Sequence, residues 1–287
     1  MCSKSVWLAI LVFAFFGATH ARTAEIEFQP VSCTVTIEGQ IEFGDEVTFY
    51  GKFLKAWEER RCAVLNVTLA STGGNLDAAM KIGRQIRALH ATTFAAGPYG
   101  SGEKRTCNSL APYQIKMENC VCASACFFIW AAGSSRGGDE IYLHRPYFDP
   151  KVYRAFPEDT AAAYADLTRS ARAYLADMDV PTPVIDRMLA TKSTDGTRLT
   201  DEELELLETA PYLEEFILAK CGVLPAPDSW PTRTRRAKTP LKSLPRDERE
   251  RIAKLTRPYM DCHKDAHDDL AGGSFGRVLD TVRHQHL

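Results

Sequence analysis

A serine, a histidine and a double glycine are the residues of this sequence whose types and spacing could do chemistry together. A serine hydroxyl is a weak nucleophile, so acyl transfer needs a base within hydrogen-bond reach and fixed N–H donors for the oxyanion that forms. Ser124 stands between two alanines, whose small side chains would let a substrate backbone approach. Gly73-Gly74 offers unobstructed backbone N–H groups, and His144 follows the serine by twenty residues. These are the residue types that serine-based acyl transfer requires.

Each of these residues also has a simpler interpretation when it is taken alone. A serine between alanines is often a small packing residue, and a histidine before Arg-Pro is often a loop contact. A Gly-Gly pair is usually only a turn. The chemical interpretation therefore depends on the elements that position these residues and on their order along the chain.

The first half of the chain alternates between strand and helix patterns. Segment 31–41 alternates apolar and polar residues, and segment 62–70 is a nearly continuous apolar run that is typical of a buried parallel strand. The turn at 71–74 follows, and then Asn75 as an N-cap with apolar residues at helical spacing as far as Leu89. This order predicts βαβ units with right-handed crossovers.

The segments that follow extend this pattern. Residues 91–96 form a third apolar segment, and the polar residues 97–119 predict an exposed inserted loop. The apolar stretch 127–133 suits either a buried helix or a strand, because its length alone does not decide. Residues 140–144 predict a short strand, and 158–178 a strongly amphipathic helix. Shorter helical patterns occur at 47–57, 183–190, 200–207 and 212–220.

In combination, four motifs resemble the Clp protease proteolytic subunit within the ClpP/crotonase superfamily. They are Ile37-x-Gly39-x-Ile41, Ser71-Thr-Gly-Gly-Asn-Leu-Asp-Ala-Ala79, Cys122-Ala-Ser-Ala-Cys126 and Leu143-His-Arg-Pro146, in the order that this family has. The resemblance spans roughly residues 31–207 and is strongest to exported ClpP-like proteins of bacteria. It implies an α/β fold of repeated βαβ units, with a mostly parallel sheet flanked by helices and a helical or irregular C-terminal extension.

The resemblance also implies a role for each candidate residue. Ser124 would be the nucleophile of a serine peptidase and His144 its general base. The N–H groups of Gly74 and Ala125 would form the oxyanion hole, with Gly73 shaping the turn. In this family the nucleophile begins a helix and the base follows a later strand. Here Ser124 begins an apolar element and His144 ends a predicted strand.

The third residue of the triad has several candidates. The family's acid falls after the long helix and before a motif like that at 199–203, which favours Asp195. Strict family spacing would place Lys192 or Ser193 in that position, so a hydroxyl or a backbone carbonyl is the alternative orienting group. Asp195 could equally be an N-cap or an Asx-turn residue.

The cysteine content predicts disulfides. Nine cysteines are present, and eight remain without the N-terminal segment; an even set in an oxidising compartment favours pairing. Two pairings are favoured by the positions of the cysteines along the chain. Cys107 with Cys120 or Cys122 would close the polar insertion, and Cys221 with Cys262 would hold the C-terminal tail.

Three of these cysteines cluster around the candidate nucleophile. Cys120, Cys122 and Cys126 could instead bind zinc, but the cluster lacks paired C-x-x-C spacing and a nearby fourth ligand. The family usually has apolar or small residues at positions 122 and 126. The hypothesis is that these cysteines clamp the catalytic loop by disulfides to the insertion, or regulate it by redox state.

The N-terminal residues predict a secretory signal. Lys4 precedes an apolar run at 6–17, which is shorter than the roughly 20 residues that span a bilayer. Small residues at Thr19 and Ala21 suit cleavage after Ala21, with an uncleaved anchor as the alternative. We therefore expect a periplasmic or secreted protein.

Composition and charge limit the partners and the domain organisation. Hydrophobic residues make up 45% of the chain, which excludes wholesale disorder, and the net charge of −2 gives no reason to expect nucleic acid. The predicted organisation is a signal at 1–21, a ClpP/crotonase-like domain at 22–224 and a basic, Pro-rich linker and tail at 225–287. Within the tail, 247–255 predicts a short helix. The tail could contact an acidic envelope component, or it could simply be a solvated extension.

The sequence therefore predicts an exported serine peptidase that hydrolyses peptides or unfolded segments through an acyl-enzyme. No metal, nucleotide or other cofactor is expected. The long amphipathic helix predicts a homo-oligomer, and no ATPase partner is expected in a compartment without ATP. The alternative is a catalytically inactive protein of the same fold that serves as a binding or scaffold protein of the cell envelope.

Overall fold

The computed structural model of the protein describes residues 23–60, 62, 64–100, 106–108, 115–147, 157–225 and 244–285. The expected signal segment and most of the proline-rich linker lie outside these residues. The strands are β1 (Glu25–Gln29), β2 (Thr34–Glu38), β3 (Asn66–Ala70), β4 (Thr92–Ala95), β5 (Pro98–Tyr99), β6 (Thr106–Cys107), β7 (Cys122–Ala123), β8 (Ser135–Gly137), β9 (Ile141–Leu143) and β10 (Thr197–Arg198). The helices are α1 (Asp45–Arg60), α2 (Leu76–Ala88), α3 (Ala125–Ala131), α4 (Pro157–Asp177), α5 (Thr182–Ala190), α6 (Asp201–Leu207), α7 (Pro211–Cys221) and α8 (Arg246–Gln285).

The larger sheet has five strands in the order β1-β2-β3-β4-β8. Strands β2, β3, β4 and β8 are parallel, and β1 pairs antiparallel with β2 at the edge. Every residue from Val67 to Ala70 in β3 is fully buried, which explains its nearly continuous apolar pattern. The mixed α/β class predicted from the sequence is confirmed. Strand β1 was not predicted.

A second sheet of three strands, in the order β10-β9-β7, carries the residues of the candidate site. Strand β7 is parallel to β9, with Ala123 opposite Tyr142, and β10 is antiparallel to β9. The backbone of Ser71, just after β3, joins the two sheets. Its N–H donates to the Val121 carbonyl at 2.7 Å, and its carbonyl accepts from the Ala123 N–H at 2.9 Å.

The apolar stretch that the sequence left open between helix and strand is helix α3. All of its residues are buried, and it packs against α2 and against the inner face of the sheet. The buried Tyr174 of α4 donates from its hydroxyl to the Phe128 carbonyl at 2.9 Å, which fixes α4 against α3. Helix α4 itself matches the amphipathic helix predicted at 158–178.

The C-terminal part of the chain contains a much longer helix than the sequence indicates. The short helix predicted at 247–255 is part of α8, which has 40 residues and continues through Pro258. Helix α8 packs against α7, to which the Cys221–Cys262 disulfide joins it. The His267 Nε2 atom lies 2.9 Å from the His90 carbonyl oxygen, so the helix also contacts the main domain. The predicted Cys221–Cys262 pair is confirmed.

The described cysteines form four disulfides. They are Cys33–Cys62, Cys107–Cys120, Cys122–Cys126 and Cys221–Cys262. Of the two partners that the sequence left open for Cys107, the structure selects Cys120, and the Cys33–Cys62 pair was not foreseen. Such a set fits a non-cytoplasmic location. None of the helices in the described ranges is long and apolar enough to cross a membrane.

Candidate active site

Ser124 occupies a sharp turn between β7 and α3. Its backbone has φ 58° and ψ −123°, a conformation that side-chain-bearing residues rarely adopt and that is associated with functional sites. Its N–H donates to the Tyr142 carbonyl at 3.1 Å, and its own carbonyl accepts from the Phe127 N–H at 3.0 Å. A strand-to-helix turn of this kind presents the serine hydroxyl at the end of a sheet.

His144 directly follows β9, the strand parallel to β7. The carboxyl ends of parallel neighbours lie at the same sheet edge, so Ser124 and His144 are brought together by the register of the two strands. Both residues line one cleft of about 770 Å³. The Arg145 N–H donates to the Thr191 carbonyl at 3.0 Å and so anchors this segment to the end of α5.

The imidazole of His144 contacts a backbone carbonyl. Its Nδ1 atom lies 2.9 Å from the Arg145 carbonyl oxygen. Because a carbonyl oxygen can only accept, this contact requires the proton on Nδ1 and leaves Nε2 as the acceptor in the neutral ring. Among the described residues, no hydrogen bond joins His144 to the Ser124 hydroxyl. Catalytic contacts are often long without substrate, so the two groups would have to close on binding.

The double glycine lies directly beside Ser124. Gly73 and Gly74 have φ values of 108° and 138°, which strongly favour glycine. A Cβ at Gly73 would lie only 2.5 Å from the Ser124 Cβ, so the absence of a side chain is what allows the turn to approach the serine. The Ser71 hydroxyl accepts from the Gly73 N–H at 3.1 Å and holds the turn in place.

Two backbone N–H groups of the cleft are free to bind a ligand. Within the described residues, neither the Gly74 N–H nor the Ala125 N–H has an acceptor. Ala125 is the first residue of α3, so its N–H has no intrahelical partner. Both residues line the same cleft as Ser124. The arrangement can therefore present two donors to an oxyanion formed at the serine.

Replacing Gly74 by alanine is expected to lower the free energy of unfolding by about 3 kcal/mol or more. The added Cβ would overlap the Ile41 carbonyl oxygen, and the backbone at φ 138° is strained for alanine. Chemical denaturation monitored by circular dichroism measures the change. Gly51→Ala is the matched control, because Gly51 is exposed in α1 with open space around it and should gain about 0.5–1 kcal/mol. Equal stability of the two variants would contradict this account of the turn.

Asp195 is placed differently from the other predicted residues. It is exposed and accepts a hydrogen bond from the neighbouring Thr194 hydroxyl at 2.9 Å. Its N–H donates to the Lys192 carbonyl at 3.0 Å, which forms a turn. Among the described residues that line the cleft, this segment contributes Ser193 and not Asp195. The structure thus brings together Ser124, His144, Gly73, Gly74 and Ala125, and leaves Asp195 outside.

Several further residues of the cleft were not singled out from the sequence. Apolar side chains of Leu76, Phe128 and Leu167 line it, and Tyr147 is 59% exposed with its ring centroid 5.9 Å from that of His144. Phe128 follows Ser124 by one helical turn, and Tyr147 comes directly after the His-Arg-Pro motif. The short separations of Phe128 from Ser124 and of Tyr147 from His144 along the chain could have identified these two residues from the sequence.

Of the two disulfides around Ser124, the sequence predicted Cys107–Cys120 as one alternative and did not predict Cys122–Cys126. Cys122 is bonded to Cys126 across the serine, whereas Cys120 is bonded to Cys107 of the insertion. The three cysteines considered as zinc ligands are thus all in disulfides. The expected clamp between the insertion and the serine loop is replaced by a bond within the loop itself.

No family model matches the sequence, and no curated protein matches it. Among solved structures, the chain is similar to a ClpP1 mutant from Listeria monocytogenes, with 15% sequence identity and a TM-score of 0.40. The similarity covers 63% of this chain and 90% of that chain. The chemistry of the cleft depends on its own residues and not on this similarity.

Proposed function

We propose that this protein is a serine-type peptidase that hydrolyses peptides or unfolded segments through an acyl-enzyme. The observation that supports this most directly is the strained backbone of Ser124 in a cleft that also holds His144 and the two free N–H groups of Gly74 and Ala125. Strained residues at a cleft are typical of functional sites. A serine that only fills space would need neither this backbone nor the glycines beside it.

In the first step, the Ser124 hydroxyl attacks the carbonyl carbon of the scissile peptide while Nε2 of His144 accepts its proton. The oxyanion receives hydrogen bonds from the N–H groups of Gly74 and Ala125. The imidazolium then protonates the leaving amine, and the C–N bond breaks to leave an ester on Ser124. In the second half of the reaction, His144 accepts a proton from water and the resulting hydroxide attacks the ester carbon. The His144 imidazolium then returns the proton to the Ser124 oxygen as the ester bond breaks and the carboxylic acid product leaves.

The orienting group for His144 in this proposal is the Arg145 carbonyl. This carbonyl oxygen accepts a hydrogen bond from Nδ1–H of His144 during proton transfer, and the hydrogen bond becomes stronger when the imidazole is charged. The sequence left open a hydroxyl or a backbone carbonyl at Lys192 or Ser193 as the orienting group, and it did not single out the Arg145 carbonyl. Asp195, the residue favoured by the sequence, would have to leave its exposed turn to serve in this role.

The proposal includes an exported location and substrates that need no ATPase to unfold them. Four disulfides are compatible with an oxidising compartment. The apolar lining of the cleft by Leu76, Phe128 and Leu167 suits the side chains of an extended peptide. Homo-oligomerisation through α4 is also part of the proposal, since α4 has exposed residues beyond the face that packs on the domain.

A fluorophosphonate probe tests the proposal, because it phosphonylates only activated serines. We expect the native protein to form one adduct, located on Ser124 by peptide mass mapping, and the heat-denatured protein to form none. An adduct on another residue, or none on the native protein, would contradict the peptidase. The absence of labelling would favour the inactive binding protein of the same fold. In the described residues, Ser124 and His144 are not hydrogen-bonded to each other, which is consistent with that alternative.

A further inference from the structure

The Cys122–Cys126 disulfide encloses the candidate nucleophile. One cysteine is in β7, the other is in the first turn of α3, and Ser124 is midway between them. Both cysteines are fully buried, with Cα atoms 5.2 Å apart. The bond therefore joins the strand to the helix directly across the turn that carries the serine.

The two sides of this turn are restrained differently. On the strand side, the N–H groups of Cys122, Ala123 and Ser124 all donate to neighbouring backbone carbonyls. On the helix side, the Phe127 N–H donates to the Ser124 carbonyl, and α3 has only seven residues. A strained backbone persists only where its surroundings hold it. The disulfide adds a covalent restraint that joins the strand side to the helix side across the strained turn.

The position of the disulfide also affects the oxyanion donors. Ala125 lies inside the loop that the disulfide closes, and its N–H is one of the two free donors. The other donor, Gly74, is held by separate contacts to Ile41 through its neighbours Gly73 and Asn75. The distance between the donors therefore depends on how firmly the Cys122–Cys126 loop is fixed relative to the glycine turn.

We propose that Cys122 and Cys126 are positioning residues, whose disulfide holds the Ser124 hydroxyl and the Ala125 N–H in the geometry of the reaction. This inference rests on the proposed peptidase function and adds to it a redox requirement. A four-residue separation constrains the unfolded chain less than a long loop does, so the main effect of the bond is local. Opening the Cys122–Cys126 disulfide should lower the rate of acylation more than it lowers the affinity for substrate or the free energy of unfolding.

The test compares Cys122→Ala/Cys126→Ala with Cys107→Ala/Cys120→Ala, which removes the neighbouring disulfide instead. We measure the rate of fluorophosphonate labelling and the kcat and KM for p-nitrophenyl acetate, with folding checked by circular dichroism. The first variant is expected to lose about a hundredfold in labelling rate and kcat at nearly unchanged KM, because small misplacements of reacting groups cost that much. The control variant should keep both rates within a few-fold.

A second measurement covers the case in which the first variant does not fold. The native protein is treated with increasing tris(2-carboxyethyl)phosphine, free thiols are alkylated, and peptide masses show which disulfide has opened. Loss of labelling should follow the opening of Cys122–Cys126 and not that of Cys107–Cys120. Labelling that survives full opening of Cys122–Cys126 overturns the positioning role alone. A native protein that is never labelled overturns the peptidase and this inference together.

Discussion

Replacing Ser124 by alanine is expected to lower the hydrolysis of fluorescently labelled casein, an unfolded protein substrate, by about ten-thousandfold or more. The variant lacks the only atom that forms the acyl bond, whereas the cleft and the oxyanion donors remain. The release of labelled peptides measures turnover in the native protein and in the variant under the same conditions. Thermal unfolding should change little, since alanine removes one oxygen from a residue that lines an open cleft.

Ser170→Ala is the matched control for this variant. Ser170 is an exposed serine of α4, so the same change in composition should leave turnover unaffected. Casein hydrolysis that survives in Ser124→Ala would exclude an acyl-enzyme at this serine. A contaminating protease is recognised because its activity would be the same in both variants.

Replacing His144 by alanine is expected to lower turnover and the labelling rate by about a thousandfold, in the range that general bases contribute. His144 is the only histidine among the described residues that line the cleft, so its removal takes away the imidazole that would accept the Ser124 proton. The measurement is the rate of fluorophosphonate labelling as a function of pH. Added imidazole should restore part of the lost rate, because a small base can enter the space that the ring vacates.

Asp195→Asn is the comparison that separates the candidates for the orienting group. Because Asp195 is exposed and contacts Thr194, its neutral isostere should leave turnover nearly unchanged. A loss in Asp195→Asn comparable with that in His144→Ala would assign the orienting role to the carboxylate and contradict the role of the Arg145 carbonyl. Failure of imidazole to rescue His144→Ala, with the fold intact, would argue against a base at this position.

The elements next to the candidate site were predictable because their signals are local. The apolar run before Ser71 is a buried strand, and Asn75 caps α2 by accepting from the Ala78 N–H at 2.9 Å. Thr200 likewise forms a capping box with Glu203 at the start of α6. Such signals involve residues a few positions apart, so one sequence is enough to recognise them.

Other features of the same region depend on contacts between distant parts of the chain. The helical state of α3 follows from its burial among α2, α4 and the sheet, since its apolar residues suit either structure. Helix α8 packs on α7 and has 40 residues, a length that no pattern in the basic, proline-containing sequence indicated. The Cys33–Cys62 and Cys122–Cys126 pairings were not predicted either, because spacing alone does not reveal which cysteines meet.

The amino-acid sequence by itself determined which residues could do chemistry and on which elements they lie: a serine at the start of a buried apolar element, a histidine after a strand, and glycines in a strand-to-helix turn. Only the tertiary structure decided which of them meet. The parallel register of β7 and β9 places Ser124 beside the segment of His144, and the turn at 192–195 leaves Asp195 in solvent. The physical reason is that residue types and local spacing act within one element, whereas the distance between elements is set by strand pairing and packing across the whole fold.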